Sequence, residues 1–134
     1  MKMGEYWQVM GRYDAETQAF SAFTTYTGGP ASPFVPVEAS STLVGIRVIV
    51  GSQAATSLTE GVAIKLTCTA WKPNTMIFYV SGNGLRTAPA LASPTYDFAV
   101  NQPCSSNSPI TLEGMALEAT HVTNSVLVIG KFKS

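Results

Sequence analysis

The sequence predicts an all-β domain, an antiparallel β-sandwich of about eight strands. Three observations lead there. Apolar and polar residues alternate with the two-residue period of a pleated strand through most of the 134 residues. No stretch carries the i, i+3, i+4, i+7 apolar stripe of an amphipathic helix. Between the alternating stretches stand clusters of Gly, Pro, Asn and Ser, whose backbone preferences and missing donors end strands.

The elements follow in order. Glu5 to Arg12 and Thr17 to Tyr26 read as opening strands joined as a hairpin through Tyr13-Asp14-Ala15-Glu16, with Phe20, Ala22 and Thr24 on one face. Pro30, Pro33 and Pro36 cannot donate to a central ladder, so residues 27–41 are expected to form a Pro/Gly-rich connection or surface arm. Thr42 to Val50 is the clearest strand, with Val44, Ile46, Val48 and Val50 on one face and Leu43, Arg47 and Ile49 on the other. Val62 to Ala70 alternates apolar Val62, Ile64, Leu66 and Cys68 with polar Lys65, Thr67 and Thr69. Lys72-Pro73-Asn74 turns the chain into Thr75 to Ser81, so these two strands form a hairpin, and Gly82-Asn83-Gly84 stops the second.

Arg86 to Thr95 reads as a loop, Tyr96 to Val100 as a short strand, and Asn101 to Ser108 as another loop. Ile110 to Glu118 and Ser125 to Lys133 close the chain as a pair. Connections of such unequal length suit strands that cross between two sheets, which favours a jelly-roll-like sandwich over an up-and-down barrel. Residues 1–134 are long enough for a single domain to build its core without disulfides or metals.

Charge is scarce. Asp, Glu, Lys and Arg make up 12% of the chain, about half the roughly 25% usual in globular domains. The eight basic and eight acidic residues cancel, so self-repulsion does not oppose close association. The cations are scattered, with only Lys131 and Lys133 near one another, and no basic stripe exists to neutralise phosphates. Neither nucleic acid nor an anionic membrane surface is expected as a partner. No apolar segment has the length of a signal peptide or a membrane-spanning helix.

The residues that carry chemistry do not assemble into a motif. Cys68 and Cys104 match no zinc or thioredoxin spacing. Cys68 shares the apolar face of Val62, Ile64 and Leu66, Cys104 falls in an expected loop, and a bond between the two is left open. Trp71 follows Cys68 too closely for the immunoglobulin arrangement. His121 is the single histidine, and no G-x-S-x-G accompanies it. Asp14, Glu16, Glu113 and Glu118 sit in or beside turns and strand ends, where carboxylates solvate the surface. Gly82-Asn83-Gly84 lacks the lysine and following helix of a phosphate loop. The expectation is no enzyme, no catalytic or metal residues, and no cofactor.

What stands out is that some strands are apolar on both faces. Met76, Phe78 and Val80 oppose Ile77 and Tyr79, and Val126 and Val128 oppose Leu127 and Ile129. One face fills a sandwich core, whereas the other ordinarily meets water and is polar. Ile77, Tyr79, Leu127 and Ile129 are therefore expected at a subunit interface. The alternative use of such residues is glycan binding, in which Tyr6, Trp7, Trp71, Tyr79 and Tyr96 supply flat faces for sugar rings. Trp71, beside a turn, is the candidate glycan contact.

In overall character this short, weakly charged, Ser- and Thr-rich β chain resembles a virion structural component, such as a jelly-roll capsid subunit or a head-decoration protein. That resemblance implies location in the virion and homo-oligomeric assembly as a trimer or larger. Another capsid protein is a candidate second partner. An extracellular glycan-binding module is the competing expectation.

Overall fold

The computed structural model describes residues 4–14, 18–23, 28–30, 33–38, 40–52, 62–80, 95–117 and 124–134. They form eight strands: β1 (Glu5–Asp14), β2 (Ser21–Ala22), β3 (Ser40–Ser52), β4 (Val62–Thr67), β5 (Thr75–Val80), β6 (Thr95–Ser105), β7 (Thr111–Ala116) and β8 (Asn124–Lys133). Two four-stranded sheets result, ordered β1-β8-β3-β6 and β2-β7-β4-β5.

β1 pairs with β8, β2 with β7, β3 with β6 and β4 with β5, all antiparallel. The first half of the chain thus runs as a ribbon against the second half. Successive pairs along that ribbon fall in alternate sheets, and β3–β8 and β4–β7 contacts join them laterally. This is a jelly roll.

The expected β4–β5 hairpin is present, with Val62 opposite Val80 and Thr67 opposite Thr75. Two other local pairings are corrected. β1 and β2 lie in opposite sheets, as do β7 and β8. A turn signal reports that the chain reverses, but it does not decide whether the returning strand stays in the same sheet or crosses to the other.

β6 also runs further than expected, because Gln102, Pro103, Cys104 and Ser105 each stand opposite a residue of β3 from Leu43 back to Ser40. Proline is tolerated there because β6 is an edge strand, where the missing N–H deprives no second neighbour. Cys104 is therefore a buried strand residue and not a loop residue, and both cysteines are free thiols.

Bulges correct the expected face assignments. In β3, Leu43 opposes Phe132 and Gly45 opposes Lys131, so Val44 is the extra residue. The bulge puts Leu43 on the inward face with Ile46 and Val48, all fully buried. β1 has a matching irregularity, with Val9 opposite Ile129 and Gly11 opposite Val128. Beside β2, Phe23 is buried and Ala22 is exposed, so the face that holds Ala22 is the outward one. Phe23 turns inward to stack on Tyr13, with ring centroids 5.7 Å apart.

The core lies between the sheets. Leu43, Ile46, Val48, Val126, Val128 and Phe132 come from one sheet and Val62, Ile64, Leu66, Val80, Leu112 and Ala116 from the other. The proline-rich connection contributes as well. Phe34 is buried, exchanges two 2.8 Å backbone hydrogen bonds with Ile110, and stacks 5.8 Å from Phe132. The Val37 N–H donates to Gln8 Oε1 at 2.9 Å. Residues 33–38 thus lie against the sandwich.

Candidate functional site

The outer face of the β1-β8-β3-β6 sheet is built by strand register. Three rows of outward residues cross its four strands: Trp7–Lys131–Gly45–Ala99, Val9–Ile129–Arg47–Asp97 and Arg12–Leu127–Ile49–Thr95. An apolar band through Trp7, Val9, Ile129, Leu127 and Ile49 is therefore edged by charge.

Trp7 is 46% exposed. The Arg47 guanidinium lies 4.5 Å from its ring centroid and Lys131 Nζ 5.5 Å, both within cation–π range. Each cation is also paired. Arg47 donates from Nε to Asp97 Oδ1 at 2.8 Å and from a terminal nitrogen to Oδ2 at 3.1 Å, the two-point geometry that a guanidinium gives a carboxylate. Lys131 Nζ stands 3.3 Å from Glu5 Oε1. The hydrogen bonds from Arg47 hold the Asp97 carboxyl below its ordinary range, and the same bonds raise the Arg47 guanidinium. This cluster holds Trp7 and Arg47 in place without burying an unpaired charge.

A concavity of about 390 Å³ opens beside it, lined by Trp7, Gly45, Arg47, Asp97, Ala99 and Lys131. Its cause is local. Gly45 contributes no side chain and Ala99 only a methyl to a row that otherwise carries Trp7 and Lys131. The result is a notch with an apolar floor and a charged rim.

The other sheet presents a different outer face. Ile77 and Tyr79 on β5 are 43% and 62% exposed. Tyr79 continues across the sheet to Ala63 and Met115, and Ile77 to Lys65 and Glu113. Lys65 Nζ is 3.3 Å from Glu113 Oε1 and 4.5 Å from the Phe20 ring centroid.

The four residues expected at an interface do point outward, but they do not make one surface. Ile77 and Tyr79 lie on one outer face, while Leu127 and Ile129 lie on the other, partly covered at the centre of their sheet. The expected exposure of Trp71 is corrected. It is 2% exposed, and its indole N–H donates to the Pro103 carbonyl at 2.8 Å. The turn after β4 folds the indole into the core against β6, so it offers no face to a sugar. Of the other aromatics named from the sequence, Tyr6 stacks on Phe132 at 5.5 Å and Tyr96 packs against the core. Trp7 and Tyr79 are the exposed ones.

Sequence reasoning missed Arg47, Gly45 and Asp97 as members of a site. Arg47 carried a signal, being the one charged residue of its strand. Asp97 carried none, since only the β3–β6 register brings it opposite Arg47.

A second concavity, about 400 Å³, is lined by Ser40, Ser41, Thr42, Ser105 and Ser134 with Cys104. Burial, and secondarily the neighbouring Cys68, push the Cys104 thiol up to about 12, so it is a poor nucleophile at neutral pH. Among the described residues no three His, Cys, Asp or Glu side chains gather to hold a metal, and no helix is long and apolar enough to cross a membrane. His121, Glu16, Glu118 and Gly82-Asn83-Gly84 lie outside the described residues, as does the side chain of Asp14. No protein-family model matches the chain, and no curated protein matches its sequence.

Proposed function

We propose that this chain is a structural subunit of a viral particle, a capsid or head-decoration component, and acts through homo-oligomeric assembly as a trimer or larger. The observation that carries the reading is the presence of large apolar side chains on both outer faces of the sandwich, Trp7 and Val9 on one and Ile77 and Tyr79 on the other. Two separate contact surfaces on opposite sides allow a subunit to hold a neighbour on each, as closed rings and extended lattices require. The scarcity of charge supports the same reading, because interface centres are depleted of charged residues.

The jelly roll hosts capsid and lectin domains alike and does not choose between them. The burial of Trp71 weighs against the glycan contact inferred from sequence.

Light scattering of the purified protein at micromolar concentration tests the premise, with an oligomer expected. Ile77→Lys and Ile129→Lys should each lower the assembly state while circular dichroism stays native. A stable wild-type monomer would overturn the reading. Electron microscopy of concentrated protein would then distinguish closed rings from shells.

A further inference from the structure

We propose that the contact between copies is head-to-tail, with Tyr79 of one copy seated in the notch over Gly45 of the next. The inference rests on the assembly reading and adds to it which surface meets which.

The two features are complementary in chemistry. Tyr79 is the most exposed large aromatic side chain among the described residues, standing on the outer face of β5. The notch has an apolar floor at Gly45 and Ala99, two cations at Arg47 and Lys131, and a carboxylate at Asp97. An aromatic ring offers cations the negative face of its quadrupole. Its hydroxyl supplies a donor, and Asp97 is an exposed acceptor whose lone pairs are not exhausted by Arg47.

The match is local, between one ring with its hydroxyl and the cations and carboxylate that rim the notch, and does not depend on opposite net charges of the two faces. The receptor is also pre-organised: Arg47 is held by Asp97 and by the Trp7 ring before any partner arrives, so little side-chain freedom is lost on contact. Tyr, Trp and Arg are the residue types that dominate interface energetics and tend to meet one another across the contact. Here Trp7 and Arg47 form one side and Tyr79 the other.

The geometry makes the contact heterologous. Knob and notch sit on the outer faces of different sheets, so a copy that uses its notch keeps its own Tyr79 free for a third. Such contacts close into a ring or propagate.

Two substitutions isolate the contact. A Cβ at Gly45 would meet Lys131 Cβ at 3.5 Å and the Phe98 carbonyl at 3.7 Å, ordinary packing distances. Gly45→Leu therefore fills the notch without forcing the sheet apart, and Tyr79→Ser removes the knob. Each should weaken association at least about thirtyfold, the threshold for an interface hot spot.

Cross-linking gives the direct readout. Ala99→Cys and Ile77→Cys proteins, which keep both Gly45 and Tyr79, should each stay uncross-linked with a short bismaleimide, and their mixture should yield covalent dimers. The double variant should yield a ladder. A wild type that assembles while the mixture forms no 99–77 link, or while Tyr79→Ser and Gly45→Leu assemble normally, overturns the head-to-tail contact and leaves assembly standing. A monomeric wild type overturns both. Saturable Trp7 fluorescence changes with a panel of methyl glycosides, abolished by Gly45→Leu in a protein whose assembly ignores Tyr79→Ser, would assign the notch to a sugar instead.

Discussion

The Tyr13 ring occupies the space that a side chain at Gly114 would need: a Cβ built there would stand 2.5 Å from the ring. Tyr13 belongs to β1 and Gly114 to β7, so this contact bridges the two sheets. Tyr13 also stacks on Phe23, and its hydroxyl accepts a 3.5 Å hydrogen bond from Ser21 Oγ. A large ring over a missing side chain is how this part of the sandwich closes.

Gly114→Ala should therefore destabilise the fold by about 1–3 kcal/mol, the usual cost of overpacking a core. Urea denaturation should show a lower midpoint at unchanged slope. The penalty should shrink in a Tyr13→Leu background, where the added methyl has room. Equal penalties in both backgrounds would mean that the ring is not the obstacle.

Phe34 is the one described residue of the proline-rich connection that enters the core as a large aromatic, against Phe132. Phe34→Ala should cost about 3–5 kcal/mol. Val37→Ala, at a side chain exposed to solvent, should change stability by no more than about 0.5 kcal/mol. Thermal or urea unfolding of the two variants separates a connection that builds the core from one that only spans a gap.

The two tryptophans should report different environments. Trp7→Phe leaves Trp71, whose emission should be blue-shifted and insensitive to iodide. Trp71→Phe leaves Trp7, which should be quenched readily at low protein concentration and less so as copies associate. Trp71→Phe should also cost about 1–3 kcal/mol, because the Pro103 carbonyl loses its buried donor.

Asp97 should titrate below the ordinary carboxylate value of 3.8, because Arg47 donates to both its oxygens. A carboxylate with a lowered folded-state pKa contributes stability above its unfolded value, and that contribution is lost as pH falls through the folded one. Carbon-detected NMR titration of the side chain should show the depressed value in the wild type and its return toward normal in Arg47→Gln.

Cys104 works in the opposite pH range. Its thiol is raised from about 9 to about 12, first by burial and then by Cys68. An acid with a raised folded-state pKa leaves stability untouched below its unfolded value. Above it the unfolded chain gives up a proton that the folded chain keeps, so stability falls as pH climbs from about 9 toward 12. Cys104→Ala should flatten that alkaline slope in urea titrations. The wild-type thiol should resist aromatic disulfide reagents at pH 8 until the protein is unfolded.

The elements legible in the sequence were those whose evidence is local. β4 and β5 could be paired because Lys72-Pro73-Asn74 is a short turn between two alternating runs, and the core residues Ile64, Leu66 and Val128 were marked by parity alone. Parity failed where a bulge intervened, at Leu43 and Val44, because one unpaired residue reverses every side chain beyond it. Composition misled at Gln102 to Ser105, where turn-forming residues lie in a strand because β3 pairs with them. Trp71 was misplaced because its exposure depended on where β6 would run, and no neighbour in sequence announces that.

By itself the sequence determined an all-β sandwich, the inward and outward sides of β4, β5 and β8, and a shortage of charge that leaves apolar residues facing out. These follow from backbone period and side-chain polarity, which are properties of short segments. Only the tertiary structure decided which strands share a sheet, and through that the separation of Ile77 and Tyr79 from Leu127 and Ile129. It also assembled Trp7, Gly45, Arg47, Asp97 and Lys131 into one notch from four strands. The reason is that pairing partners are chosen by burial of whole faces at once, between residues that can be a hundred positions apart.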